Sequence, residues 1–361
     1  MSSRIVDWLR SPLATVSVVE TDDHRFLLSN EDIIGCEHRH AEARNQMAFS
    51  AMALMSVISF LLPTPANALC LGLGAGTVPS WLRSRGITTD IVEHDAAVIR
   101  LAEQRFLFGA AADSDGIGRS GGDSGHVHED DALQFVAAKN SKRYDVVLSD
   151  LWNGGNEGRA LLRPFFEQVR SNVLRPNGTM ALNLVAFSDG PHVGLAVNVV
   201  RTLRSVFGHV QAYTEHDPEG DEAKDTAWHG NVLLLASDAP IRFLESEEGG
   251  ALATAAPEPN SMDHLFANFQ QWRPKRLNAA CEGREGVVLH GQGEWDALIS
   301  ERRAALLAMR EQQRQLLSAD AWGLVEEMLH EAEDMPPRIV RRAPSPVIQR
   351  RMPDRPKEEL R

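Results

Sequence analysis

The sequence predicts an α/β protein built around a doubly wound, Rossmann-like sheet of seven strands, and three observations support this prediction. Residues 68–237 alternate short apolar runs with helical patterns. The first apolar run, 68–71, leads directly into a turn that contains Gly72, Gly74 and Gly76. The last two apolar runs have no helical pattern between them, which predicts an antiparallel hairpin at one edge of the sheet.

The chain before this domain predicts a small antiparallel sheet followed by a helix. Three β-rich runs separated by polar turns are residues 15–20, 25–28 and 33–36. Residues 40–62 have a helical pattern, and Pro63 and Pro65 end it.

The main domain divides into regular elements with one long loop. The predicted strands are residues 68–71, 90–93, 127–128, 144–149, 178–184, 210–214 and 232–236. The predicted helices are residues 77–85, 96–108, 132–138, 160–173 and 192–206. Residues 112–126 are polar and rich in glycine, which predicts a flexible loop. Seven strands with an antiparallel last pair is the layout of class I methyltransferases and differs from that of dinucleotide-binding folds.

The chain is predicted to have five parts. A β-rich segment with its helix covers residues 1–62, the sheet domain covers 63–240, and an irregular linker covers 241–292. Amphipathic helices form an extension over residues 293–335. Residues 336–361 contain eight Arg or Lys, three acids and six prolines, which predicts a disordered basic tail.

The composition argues against several classes of function. A formal net charge of −13 disfavours non-specific binding of nucleic acid and leaves room for a basic substrate. The three cysteines and thirteen histidines show no metal-ligand spacing, so we predict no metal site. The low cysteine content indicates a reducing compartment, and the cytoplasm is the predicted location. The longest apolar run, residues 47–62, is too short to span a membrane.

The glycine turn and the strand after it together indicate a nucleoside ligand. Glu93 ends the second strand, 21 positions after Gly72, where a carboxylate can accept hydrogen bonds from the ribose hydroxyls. A dinucleotide fingerprint would have a third glycine at position 77, where this chain has Thr77. The pattern suits a nucleoside with an amino-acid tail, and S-adenosylmethionine is the first candidate. The alternative is a structural βα turn with a chance acid.

Three acids stand at or just beyond the ends of predicted strands. They are Glu93, Asp131 and Asp150. Because ligands in such sheets bind beyond the carboxyl ends of the strands, we expect the three acids to meet at one site.

Short motifs from several parts of the chain carry a family resemblance. They are Arg25-Phe-Leu-Leu-Ser-Asn30, Leu71-Gly-Leu-Gly-Ala-Gly76, Val92-Glu-His-Asp95, Asp130-Asp-Ala-Leu-Gln-Phe135, Tyr144-Asp-Val-Val-Leu-Ser-Asp150 and Ala181-Leu-Asn-Leu-Val185. They resemble the spermidine synthase superfamily, and more closely the C-terminal half of the eukaryotic elongation factor 1A lysine and N-terminal methyltransferases. That half is similar to spermidine synthase in fold but methylates an α-amine. The resemblance covers roughly residues 15–237.

The resemblance implies roles for the residues at matching positions. It places Gly72 and Gly74 against the methionine part of the cofactor, Glu93 on the ribose and Asp131 on the adenine amino group. Asp130 competes for the adenine role, and Asp131 is preferred because a small residue follows it, as in the family. The implied cofactor-binding set is completed by Leu73, Gly76, His94 and Ala132.

Departures from the aminopropyltransferases of this superfamily favour methyl transfer. Those enzymes have an aspartate in the glycine loop that holds the donor's free amine, where this chain has Ala75. They also hold the polyamine with an Asp-x-x-Asp pair, where this chain has Asp150 and Asn153. Each departure removes a charge contact of about 1.5–3 kcal/mol to a cationic ligand. An aminopropyltransferase that uses decarboxylated S-adenosylmethionine remains the alternative.

The acceptor side is predicted to depend on Asp150, which would orient an amine and accept its proton. The alternative is a strand-end acid that caps the next helix. Trp152, Asn153 and Asn183 are the predicted substrate-binding residues. For Trp152 a surface anchor, and for Asn183 a strand-end residue bonded to backbone, are equally good interpretations.

The predicted function is therefore methylation of a protein amine, either N-terminal or on lysine. An α-amine, with a pKa of about 7.7–8.0, loses its proton more readily than lysine at about 10.4, so one carboxylate would be enough. The predicted partner is a protein with a basic or amine-bearing segment. The acidic residues 215–225 either steer that partner or form a solvated face. A non-catalytic scaffold is the third hypothesis, and the N-terminal strands resemble elements that pair subunits, which predicts a homodimer.

Overall fold

The computed structural model describes most of the chain. The described residues are 3–40, 48, 50–62, 66–108, 125–138, 142–151, 157–187, 194–214, 229–243, 286–333 and 335–337. Several sequence predictions concern residues outside these ranges. They are Trp152, Asn153, most of the glycine-rich loop, the acidic residues 215–225 and nearly all of the basic tail.

The chain begins with a four-stranded antiparallel sheet, which is one strand more than predicted. Its strands, in spatial as in chain order, are β1 (Arg4–Arg10), β2 (Thr15–Glu20), β3 (His24–Ser29) and β4 (Asp32–His38). The unpredicted strand β1 lies at the edge, and none of its residues is fully buried. It therefore lacks the clean alternation of apolar and polar residues that marks a strand with one buried face.

The second sheet has seven strands, as predicted. They are β5 (Asn67–Leu71), β6 (Thr88–Glu93), β7 (Val127–Glu129), β8 (Tyr144–Ser149), β9 (Leu174–Phe187), β10 (His209–Thr214) and β11 (His229–Ser237). The spatial order is β10-β11-β9-β8-β5-β6-β7, and the pairs from β9 to β7 are parallel. Strand β11 runs antiparallel to both of its neighbours, so the predicted edge hairpin and the class I methyltransferase layout are confirmed.

Helices cover both faces of this sheet. They are α1 (Ser50–Ser56), α2 (Thr77–Ser84), α3 (Ala96–Arg105), α4 (Ala132–Ala137), α5 (Arg163–Gln168), α6 (Gly194–Arg204), α7 (Gln292–Asp296), α8 (Ile299–Arg314) and α9 (Ala319–Glu333). Alternate residues of β5 belong to different apolar clusters: Ala68 and Cys70 to one, Leu69 and Leu71 to the other. The uncharged run of β5 is thus explained by burial on both faces. None of the described helices is both long and apolar enough to cross a membrane.

The helix predicted over residues 160–173 was wrong as one continuous element. The structure has a 3-10 helix at Glu157–Leu161, then α5, then a π-helical turn at Val169–Val173. Leu162 between the first two is extended, with ψ 151°, and a proline stands in the first turn of α5. Proline is well suited to begin a helix but poorly suited to continue one, so a new helix starts there.

The N-terminal sheet is fastened to the seven-stranded sheet by polar contacts around α2 and α3. The Ser11 hydroxyl donates to Asp95 Oδ2 at 2.8 Å, and Thr77 Oγ1 donates to the Cys36 carbonyl at 3.1 Å. The edge strand β4 therefore lies beside the glycine turn that follows β5. The C-terminal helix α9 packs into the same apolar cluster as the N-terminal strands.

Candidate active site

The carboxyl ends of β8, β5 and β6 are joined by backbone hydrogen bonds, which build one edge of the candidate site. The Gly72 N–H donates to the Val92 carbonyl at 2.8 Å, and the Asp150 N–H donates to the Leu71 carbonyl at 2.9 Å. The Asp130 N–H donates to the Glu93 carbonyl at 3.1 Å, which adds the end of β7. The predicted acids thus follow neighbouring strands at the same edge of the sheet.

The glycine turn requires glycine for a reason different from the predicted one. Gly72, Gly74 and Gly76 have φ of 98°, 54° and 77°, a region that favours glycine. A Cβ on Gly72 would lie 2.3 Å from the Asp150 carbonyl oxygen, and one on Gly74 would lie 2.5 Å from the Ile34 carbonyl oxygen. The close approach that the sequence predicted for a ligand is made by the chain's own backbone. The glycines therefore shape the turn and do not by themselves indicate a ligand.

Glu93 is buried beside the glycine turn and faces several donors. Its Oε2 accepts a hydrogen bond from the Leu73 N–H at 3.1 Å, and its Oε1 accepts one from the Asp95 N–H at 2.9 Å. His94 Nδ1 lies 3.1 Å from the same Oε1. The hydrogen bond that His94 donates to Glu93 and the negative charges nearby, Asp131 among them, raise the pKa of His94 although burial opposes this. Glu93 and Asp131 thus face the same histidine.

Asp131 has a structural role in addition to its predicted one. It is the N-cap of α4, and its Oδ1 accepts from the Gln134 N–H at 2.9 Å. Asp130 instead accepts from the Asp131 N–H at 2.8 Å and is exposed. Ala132 is buried at the start of α4. The adenine role of Asp131 remains a prediction.

Asp150 stands on the other side of the turn in different surroundings. Its Oδ1 accepts a hydrogen bond from Asn183 Nδ2 at 2.9 Å. Burial raises the pKa of this carboxyl group, and the hydrogen bond from Asn183 lowers it by less. The residues that follow Leu151, whose N–H groups Asp150 would cap, lie outside the described ranges, so the role of Asp150 as a site residue stays a prediction.

Asn183 and Asn231 form the support beneath Asp150. Asn183 Nδ2 also donates to Asn231 Oδ1 at 3.0 Å, so the amide nitrogen contacts two acceptors. Reversing the amide would place its oxygen against the carboxylate, so these contacts set its orientation. Asn183 Oδ1 is buried and has no hydrogen bond to the described residues. The sequence analysis missed Asn231, although an asparagine preceding the apolar run of β11 was a usable signal.

A cavity of about 290 Å³ opens above Asp150 and Asn183. Its walls come from β4, α1, the ends of β9 and β11, and the segment from α8 to Leu316. The described lining residues are Ile33, Ile34, Gly35, Ala48, Ala51, Met52, Met55, Asp150, Asn183, Val185, Asn231, Met309, Gln312, Gln313 and Leu316. Asp150 is the sole carboxylate among these described residues, and the other side chains are apolar or uncharged amides.

Ala75 packs closely against β4 of the N-terminal sheet. It is 4% exposed, and a Cβ on Gly35 of β4 would lie 2.5 Å from the Ala75 Cβ. Glycine at position 35 therefore allows this close approach of β4 to the glycine turn.

The other predictions about the site have mixed outcomes. Among the described residues no group of three His, Cys, Asp or Glu could hold a metal ion, and the prediction of a metal-free site stays a prediction. Cys36 and Cys70 are free and buried. Trp152 and Asn153 come shortly after Asp150 in the sequence, and both lie outside the described residues.

Comparison with known proteins identified relatives of two kinds. No family model matches the chain. A polyamine aminopropyltransferase from Vibrio vulnificus is 25% identical over 262 residues, which cover 70% of this chain and 79% of that protein. An N-terminal histidine N-methyltransferase from Emericella nidulans is 31% identical over 157 residues, covering 42% of this chain and 25% of that protein. The eEF1A lysine and N-terminal methyltransferase of Bos taurus is 29% identical over 184 residues, covering 48% and 23%.

These matches differ in how much of each relative they cover. The chain spans most of the bacterial aminopropyltransferase but only about a quarter of the length of either methyltransferase. A probable spermidine synthase from Corynebacterium glutamicum has a similar structure, with a TM-score of 0.53 and 20% identity, covering 68% of this chain and 84% of that one. That likeness shows the fold. Together the comparisons confirm the resemblance predicted from the sequence motifs.

Proposed function

We propose, from the premise that this chain has the spermidine-synthase-like class I methyltransferase fold, that it transfers a methyl group from S-adenosylmethionine to a protein amine. The observation that carries the proposal is Asp150, the one carboxylate among the described residues that line a cavity of apolar and amide side chains. The fungal and bovine relatives are both named as methyltransferases of protein N-termini, which supports an amine-bearing protein as acceptor.

The residues around the glycine turn fit a sulfonium nucleoside. An ionised carboxylate has about four lone-pair sites, two on each oxygen. In the described contacts Glu93 Oε2 accepts one hydrogen bond, so it can accept a second from a ribose hydroxyl. The second oxygen of Asp131 has no hydrogen bond to described residues and could accept from the adenine amino group. Helix α2 begins at Thr77, so its positive end favours the methionine carboxylate beside Gly72 and Gly74.

The acceptor chemistry requires a neutral amine held in line with the methyl group. When bound, the sulfonium supplies an electrophilic methyl group. The amine nitrogen forms a bond to the methyl carbon while the carbon–sulfur bond breaks, and the nitrogen then gives up a proton. Asp150 is placed to orient that nitrogen and accept the proton, because burial raises the pKa of its carboxyl group. Asn183 fixes the carboxylate and offers Oδ1 as a nearby acceptor.

Two features favour methyl transfer over aminopropyl transfer. The described lining of the cavity has no second carboxylate for the other ammonium group of a polyamine. Ala75 supplies no charge to hold the free amine of a decarboxylated donor. A buried ammonium without a partner is costly, so both features disfavour a polyamine acceptor and its donor.

Aminopropyl transfer is the second candidate function. The observation that favours it is the match to the Vibrio vulnificus aminopropyltransferase, which covers 79% of that protein. The cytoplasm remains the proposed compartment, because the two described cysteines are both free thiols. A homodimer remains a proposal from the resemblance of the N-terminal strands.

The test of the proposed function uses cofactor labelled in its methyl group. The purified chain is incubated with a cell extract, and labelled products are separated by size. Labelled protein that disappears with Asp150→Asn, but persists with Asp145→Asn five residues earlier on β8, supports the proposal. Label found only in small molecules, including the methylthioadenosine that aminopropyl transfer would release, or no label transfer at all, contradicts it.

A further inference from the structure

We infer that α8, in the C-terminal extension, is the specificity-determining wall of the acceptor cavity, and that it selects a primary amine carried on an apolar stem over a diamine. This inference rests on the proposed function, because it concerns the acceptor side of the same site. The motifs that carried the family resemblance end before this helix, so they do not predict its role.

One face of α8 and the turn after it points at the cavity and the end of β9. The residues of this face are Arg302, Ala305, Met309, Gln313 and Leu316, spaced three or four apart as on one side of a helix. Ala305 and Met309 are buried in a small apolar cluster with Val185 of β9. Leu307, on another side of the helix, is 64% exposed. The helix and the turn after it therefore contribute two apolar side chains, Met309 and Leu316, and two amides, Gln312 and Gln313, to the lining of the acceptor cavity.

Polar contacts near the start of α8 fix it to the seven-stranded sheet. The guanidinium of Arg302, itself 7% exposed, donates through Nη1 to the Val185 carbonyl at 2.9 Å. Glu301 Oε2 accepts from the Leu195 N–H at the start of α6, also at 2.9 Å. These bonds are directional, so they set the rotation of the helix as well as its position.

Contacts near the end of α8 fix it to the N-terminal sheet. Arg310 makes a bidentate ion pair with Asp32: Nε donates to Oδ1 at 2.7 Å, and Nη2 donates to Oδ2 at 2.9 Å. Gln313 Nε2 donates to the Ile33 carbonyl at 3.0 Å, and its Oε1 accepts from the Ile33 N–H at 3.3 Å. Met309 lies between these two sets of contacts, so it is held over the cavity by both sheets.

The chemistry of the cavity then indicates the class of acceptor. Asp150 and Asn183 can receive one amine at the floor, while Met52, Met55 and Met309 line the walls. Burying the methylenes of an acceptor's stem against such walls is favourable. A second ammonium at the far end of the stem would meet thioethers and the uncharged amides of Gln312 and Gln313, and no carboxylate among the described lining residues. The cavity thus suits an amine with an apolar stem.

The first test compares n-hexylamine with 1,6-diaminohexane, which has the same length and one more amine. Both are titrated by calorimetry into the full chain saturated with S-adenosylhomocysteine. We expect n-hexylamine to bind at least fivefold more tightly. Equal affinity, tighter binding of the diamine, or no binding of n-hexylamine overturns the inference.

The second test changes the wall itself. Met309→Trp fills the cavity and should weaken n-hexylamine binding at least tenfold, whereas the matched Leu307→Trp variant on the exposed side should leave it unchanged. Met309→Ala is less disruptive to folding than Met309→Trp. It should weaken the binding of n-hexylamine and strengthen the binding of the bulkier 4-phenylbutylamine. Affinity for S-adenosylhomocysteine should be the same in all variants. Equal amine binding by the two tryptophan variants, or no change with Met309→Ala, contradicts the inference.

The outcome is separable from that of the proposed function. If Met309→Trp removes selective amine binding but the extract assay shows no methyl transfer, the role of α8 is supported and the proposed function is contradicted. If methyl transfer occurs and is equally fast in Met309→Trp and Leu307→Trp, the proposed function is supported and the role of α8 is contradicted.

Discussion

Two aspartates of the same sheet, the buried Asp90 in β6 and the half-buried Asp150 after β8, have opposite shifts of their carboxyl pKa. Asp90 is 2% exposed and accepts hydrogen bonds from Lys142 Nζ at 2.7 Å, Tyr144 Oη at 2.7 Å and the His126 N–H at 2.9 Å. Burial alone would raise the pKa of Asp90, but these donors outweigh it and lower the pKa. The charge of Asp90 therefore stabilises the fold through these three hydrogen bonds.

Asp150 has one neutral amide donor and an open side facing the cavity. Burial dominates there, so the pKa of its carboxyl group is raised. The difference teaches that the number and charge of the donors, more than burial itself, separate a structural acid from one that is free to handle a proton. Each prediction below tests this contrast.

The largest effect is expected from Asp150→Asn. The amide cannot accept a proton from the acceptor, and loss of a general base costs roughly 10²–10⁴-fold in rate. Transfer of labelled methyl groups under saturating cofactor measures the loss. Asp145→Asn, on the same strand but paired with Arg175, is the control and should retain its rate. A loss smaller than about fivefold would remove Asp150 from the chemistry.

The next largest effect is expected on stability from Asp90→Ala. The variant removes the acceptor of the buried Tyr144 hydroxyl and of the His126 N–H, at about 1–3 kcal/mol for each group, whereas the Lys142 side chain is 39% exposed and its ammonium can return to water. Urea unfolding at pH 7 measures this free energy, while the affinity of the folded variant for S-adenosylhomocysteine should stay close to that of the wild type. A cost near zero would mean that Asp90 and Asp150 are equivalent acids after all.

A third acid, Glu93, should give a smaller effect than either of these. Glu93→Gln removes a charged acceptor from the ribose, and a hydrogen bond to a charged group is worth about 1.5–3 kcal/mol, or roughly 10–100-fold in affinity. Calorimetric titration with S-adenosylhomocysteine measures the change. Glu129→Gln is the matched control, because Glu129 pairs with Glu93 across β6 and β7 but is exposed. Similar weakening by both variants would contradict the assigned role.

The smallest effect concerns the pH dependence of stability. The folded pKa of Asp150 is raised, so its ionised form costs stability at neutral pH and this cost disappears as pH falls toward the unfolded value of about 3.9. Asp150→Asn should therefore be more stable than the wild type at pH 7, with the gap closing by pH 4. The folded pKa of Asp90 is lowered, so its contribution should be constant over the same range and fall only below it. If the free energy of unfolding of Asp150→Asn and that of Asp90→Ala, each relative to the wild type, changed with pH in the same way, the contrast between the two acids would be contradicted.

The sequence predicted the scaffold better than the site. The buried strands, the glycine turn and the edge hairpin follow from uninterrupted apolar runs, which depend on local sequence alone. Strand β1 was missed because an edge strand without fully buried residues has no such pattern. The break at Leu162 was missed because the apolar periodicity continues across it while the backbone does not.

The acceptor cavity could not be predicted, because its walls are distant in sequence. Met52, Val185 and Met309 meet only after two sheets and α8 have docked. Docking of α8 depends on polar residues such as Arg302 and Arg310, which look like ordinary exposed positions in an amphipathic pattern. Asp150 was predicted as a strand-end acid, but its contrast with Asp90 depends on donors that strand endings do not reveal.

The central claim is that this site binds S-adenosylmethionine for methyl transfer, and one titration tests it most directly. S-adenosylmethionine and its decarboxylated form are titrated separately into the wild-type chain by calorimetry. The start of α2 favours the methionine carboxylate, and Ala75 offers no charge to the decarboxylated form. We therefore expect S-adenosylmethionine to bind at least fivefold more tightly. Tighter binding of the decarboxylated form, or binding of neither, would contradict the claim.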